Sequence, residues 1–78
     1  MDSPRKYSTT DLALSAFLQA RGHEIIEIKR TGARGVFVFE DSPQLRRDLM
    51  IWGNGQQVEI NVRAFVNGLR DLKGLVGV

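Results

Sequence analysis

The stretch EIKRTGARGVFVFEDSP, residues 27–43, decides the fold. HEIIEIKR (23–30) and GVFVFED (35–41) are rich in β-branched and aromatic residues, as strands are. Between them TGARG (31–35) supplies glycines, which tolerate the positive φ of a tight hairpin loop. The reading is a β-hairpin. Strand alternation sends Ile26 and Ile28 to one face of its first strand, with Phe37 and Phe39 as the inward set on the second. The opposite face then carries Ile25, Glu27, Lys29, Val36 and Val38. Apolar residues on both faces of a two-stranded ribbon call for cover on both, or for a partner on one.

Working outward, YSTTDLALSAFLQARG (7–22) predicts a helix. Ser8 stands as its cap, Asp11 three residues on completes a capping box, and Tyr7 and Leu12 have staple spacing. Gly22 suits the left-handed residue that ends it. The apolar arc of this helix is broad, with Ser15 and Gln19 as its polar edge. After the hairpin, Ser42 caps a second helix with Pro43 at its first position, Leu45, Leu49 and Trp52 on one stripe, and Gly53-Asn54-Gly55 as its end. QQVEI (56–60) reads as a short third strand. Asn61 caps a last helix in which Val62, Phe65, Val66, Leu69 and Leu72 repeat at helical spacing, ended by Gly74. The fold class is α+β: helix, β-hairpin, helix, short strand, helix, with a single-layer sheet packed by helices. Residues 1–78 form one domain, with 1–6 as a loose lead-in and 75–78 as an apolar tail.

Composition narrows the chemistry. The chain has 78 residues, 42% hydrophobic and 26% charged, which suits a folded domain and not a disordered one. A chain of this length buries about 60% of the surface its unfolded form exposes, so its core is small. With no cysteine, disulfides, thiolate zinc sites and cysteine nucleophiles are excluded. One histidine, His23, excludes a site needing two imidazoles from one chain. No apolar run reaches membrane-spanning length and the first residues lack a signal-peptide core, so a cytoplasmic protein with no membrane partner is expected. The net charge of +2 permits nucleic-acid binding without requiring it.

Two readings of function stay open. In the first, the domain is a non-enzymatic binding module whose partner is nucleic acid, DNA or RNA. Lys29, Arg30 and Arg34 crowd the hairpin turn, Arg46 and Arg47 add a second basic spot, and arginine and lysine are what phosphate contacts use. The same residues suit a solvated turn and an ordinary helix surface. In the second, it is a protein-interaction module that forms a homodimer through the ribbon face of Ile25, Val36 and Val38, since a two-fold axis lets one self-complementary patch serve both copies. A third, minor reading takes Glu27-x-Lys29 as the E-x-K element of metal-dependent nucleases, but no aspartate precedes it on a neighbouring strand. Ser8, Thr9 and Ser42 read as caps, not nucleophiles. No catalytic residue, metal or cofactor is expected.

Several motifs carry a resemblance. Tyr7, Thr9, Asp11 and Leu12 match a Y-x-T-x-D-L start, and Phe17, Leu18, Gly22 and His23 an F-L-x-x-x-G-H helix end. Phe37, Phe39 and Asp41 match F-x-F-x-D, and Phe65, Leu69, Arg70, Leu72 and Lys73 match F-x-x-x-L-R-x-L-K. Together they resemble a family of small uncharacterised bacterial and phage proteins across nearly the whole chain. That resemblance implies a compact fold and a mobile-element origin, and no catalytic residues. The order of elements is more distantly similar to the double-stranded-RNA-binding-type fold of small RNA-cleaving toxins. Those carry a catalytic histidine after a Gly-Ser in the hairpin. Gly32-Ala33-Arg34 stands there in this chain, so their chemistry is not implied.

Overall fold

The computed structural model describes residues 5–32 and 34–76. It is a small α+β domain of three strands and three helices: β1 (Lys6–Thr9), α1 (Leu12–Ala20), β2 (Ile25–Thr31), β3 (Arg34–Glu40), α2 (Pro43–Asn54) and α3 (Val62–Val76). The sheet is antiparallel, in the order β1-β3-β2. β3 is therefore central, and β1 and β2 run parallel on either side of it.

The third strand is not where the sequence predicts it. QQVEI forms no strand, while Lys6–Thr9 pairs with β3 in the register Lys6↔Glu40, Tyr7↔Phe39, Ser8↔Val38, Thr9↔Phe37. The first helix accordingly starts four residues beyond the Ser8 cap. Its cap is Asp11, whose Oδ1 accepts from the Leu14 amide at 3.0 Å, while Thr9 Oγ1 accepts from the Asp11 amide at 3.1 Å. A carboxylate at the cap leaves Tyr7 and Thr9 free to extend and pair.

Gly22 (φ +97°) ends α1 as expected, in a Schellman turn: His23 N donates to Leu18 O at 3.0 Å and Gly22 N to Gln19 O at 2.9 Å. Ser15, predicted on a polar edge, is fully buried, and its hydroxyl donates to Asp11 O at 2.8 Å. α2 keeps its predicted cap, Ser42 Oγ accepting from Leu45 N at 3.0 Å, with Pro43 following. Asn61 Oδ1 caps α3 by accepting from Ala64 N at 2.9 Å. α3 runs through Gly74 to Val76, because Gly74 does not take the left-handed conformation that stops a helix. The predicted tail is thus helical as far as Val76, and residues 77–78 lie outside the described residues, as do residues 1–4 of the lead-in.

The helices cover one face of the sheet. Phe37 and Phe39 from β3 join Leu14, Phe17 and Leu18 of α1, Leu45 of α2 and Leu72 of α3 in one core, with Tyr7, Ile25 and Ile28 packed against it. Burying a side chain such as Phe37 stabilises by roughly 1.5–3 kcal/mol. α1 and α3 approach closely at Gly68, where a Cβ would meet Gln19 Oε1 at 3.2 Å and Ala16 Cβ at 3.9 Å.

A bulge in β2 overturns the predicted ribbon face. The pairing Ile25↔Phe39 is followed by Glu27↔Val38, so Ile26 is the extra residue and strict alternation fails there. Ile25 and Ile28 both face the core, and Ile26, predicted inside, is 46% exposed. On the uncovered face Val38 is only 1% exposed and Val36 is half-buried. The three-residue patch of Ile25, Val36 and Val38 therefore does not form. Among the described residues, no helix is long and apolar enough to cross a membrane.

Candidate binding groove

The C-terminal end of α2 and the segment after it form an open groove of about 780 Å³. α2 stops where Gly55 turns left-handed (φ +66°) and Gln56 N donates to Ile51 O at 3.1 Å. The chain then runs without regular secondary structure to Asn61. Val58 and Ile60 face the core while Gln57 and Glu59 face solvent. This alternation is what mimics a strand in the sequence; here it anchors an unpaired segment against the core. Phe17, Ile51, Trp52 and Val58 make the apolar floor, and Gln56, Gln57 and Glu59 the polar rim. Trp52 packs on Phe17 with ring centroids 5.0 Å apart and planes tilted by 40°, yet stays 38% exposed.

A buried charge cluster fixes this end of the domain. Asp48, on α2, is 4% exposed. Its Oδ1 accepts from Arg21 Nε at 3.0 Å, with Arg21 Nη2 in ion-pair contact at 3.0 Å, and its Oδ2 accepts from His23 Nε2 at 2.6 Å. Burial alone would raise the Asp48 carboxyl, but the hydrogen bonds from His23 and Arg21, with their charges, hold it below the usual carboxylate value. Arg21 Nη1 also reaches Glu59 O at 3.5 Å, at the limit of a hydrogen bond. Arg21 and His23 flank the glycine that ends α1, so one carboxylate ties α1, α2 and the groove's rim together. Sequence reasoning missed the cluster because its members lie 25 and 27 residues apart.

The predicted basic residues do not gather on one surface. Lys29 and Arg34 are exposed on the open sheet face, where Glu27, Glu40 and Lys6 also lie. Arg30, paired with Gly35, belongs to the other face. Arg46 binds Asp41 through two hydrogen bonds of 2.9 and 2.8 Å, and this pairing lowers the Asp41 carboxyl and raises the Arg46 guanidinium. Arg47 is exposed on α2. Around Glu27 and Lys29, as elsewhere among the described residues, no group of three or more histidine or acidic side chains is set to hold a metal.

Fold and groove define a class: a small α+β domain whose antiparallel sheet is covered on one face by helices and which presents an aromatic groove beside a fixed charge cluster. The chain belongs to the family described as Domain of unknown function (DUF5659), whose model matches residues 4–78. No curated protein and no solved structure matches it.

Proposed function

We propose that the domain is a non-enzymatic, cytoplasmic module that binds another protein, taking a large apolar side chain of that partner into the Trp52 groove. The carrying observation is the groove itself, a tryptophan more than one third exposed on an apolar floor. Partly exposed aromatics over such floors are where interface energy concentrates. Among the described residues Glu59 is the only charged one lining the groove, so the matching segment carries an arginine or lysine beside its apolar anchor. Nucleic acid is the less supported partner, because basic groups alternate with acids on the open face and Arg46 is held by Asp41.

Selection from a displayed library of random peptides tests this, with the Trp52→Ala protein as counter-selection. Trp52 is the chain's single tryptophan, so its emission reports occupancy directly. Enriched peptides should pair a large apolar residue with a base, shift Trp52 emission on binding, and lose about tenfold in affinity to Glu59→Arg. Enrichment equal on Trp52→Ala would overturn the groove. Binding of DNA or RNA oligonucleotides would favour the other reading if its log-log salt slope lay near −3 and flattened on replacing Lys29, Arg30 and Arg34 by serine.

A further inference from the structure

A second feature lies away from the Trp52 groove. β2 is an edge strand: in the described sheet it pairs with β3 alone, and seven residues of it run along the margin. Along that margin lies a second groove, of about 510 Å³, between β2 and the end of α3. Its walls include Ile26, 46% exposed, and Leu75, 54% exposed, with Asp71 on the rim. An edge strand presents a row of backbone donors and acceptors on which another strand can pair.

The charge pattern of the strand specifies what pairs. In the run Glu27-Ile28-Lys29, the acid and the base sit symmetrically about Ile28, and both lie on the uncovered sheet face. We propose that two copies of this chain join β2 to β2, antiparallel about a two-fold axis through Ile28, so that Glu27 of each copy meets Lys29 of the other. Directly opposed residues in an antiparallel pair share a face, so both ion pairs form on the uncovered side and Ile28 meets its counterpart on the covered side. The two grooves, with their Leu75 walls, come together across the axis. The bulge at Ile26 and the charge of Lys29 discourage unselective pairing at this edge. A strand that answers Lys29 with a carboxylate removes the charge obstacle, and β2 itself is such a strand, with residues 27–29 lying clear of the bulge at Ile26.

Charge reversal in the full-length chain tests the register. The unmodified protein should sediment as a dimer at about 100 µM, where even a micromolar dimer is mostly assembled. Glu27→Lys opposes lysine to lysine at both positions, and Lys29→Glu opposes acid to acid; each should raise the dimer Kd at least about tenfold. Circular dichroism should stay unchanged, since both side chains are exposed. Mixing the two variants opposes lysine to glutamate at both positions again and should restore a dimer containing one copy of each. A monomeric unmodified protein overturns the proposal. So does a dimer that survives either reversal, or a pair of variants that fails to reassociate on mixing.

Discussion

Asp48 shows how much one side chain can hold. It is the buried carboxylate to which Arg21 and His23 both donate. Replacing it with alanine leaves two donors without their acceptor and should destabilise the domain by about 2–4 kcal/mol, less than a fully buried pair because Arg21 keeps part of its solvent. Its folded carboxyl is held below the ordinary value, so it binds its proton less readily folded than unfolded. The stability it contributes is thus complete above the unfolded value of about 3.9 and is lost as pH falls through the folded one. Urea unfolding between neutral and acid pH should show that loss in the natural chain and a flatter profile in Asp48→Asn. Nothing local in the sequence announces this role, because Arg21, His23 and Asp48 are each ordinary surface types until the fold joins them.

At the scale of elements, the hairpin, the Ser42-Pro43 start of α2 and the Asn61 start of α3 are legible because their signals are local: turn glycines, a cap, a proline at the first helical position. β1 is not. Ser8 and Asp11 have the spacing of a capping box, and that signal hides a strand of four residues whose evidence is its pairing with β3, some thirty positions away. The bulge at Ile26 is hidden in the same way, since only the register against Phe39 and Val38 reveals it. Of the candidate site, Trp52 was visible as a core aromatic, but the rim from Gln56 to Glu59 looked like a strand because its apolar residues alternate. Alanine scanning separates the two possible caps. Asp11→Ala should cost about 1 kcal/mol in a thermal melt, the usual loss on removing a helix cap. Ser8→Ala, at an exposed strand position, should change stability by less than about 0.5 kcal/mol.

For the whole molecule, the sheet order is decisive. Residues 35–39, Gly-Val-Phe-Val-Phe, hold no charge and no proline and favour extended structure. Such a segment is hazardous when its backbone is unpaired, and the fold keeps it in the middle of the sheet. One of its two margins, however, is closed from Phe37 to Phe39 by β1 alone, a strand of four residues. If β1 peels away, the most amyloid-prone stretch of the chain gains a bare template edge while most of the helical core is still in place. β1 is therefore a safety catch against fibril growth as well as a structural strand. Tyr7, half-buried opposite Phe39, is the residue through which to release it. Tyr7→Asp should leave the helical circular dichroism largely intact yet shorten the lag before thioflavin-positive fibrils appear, since local opening exposes the segment. An unchanged lag in that variant would mean that the margin beside β1 stays guarded by something other than the strand.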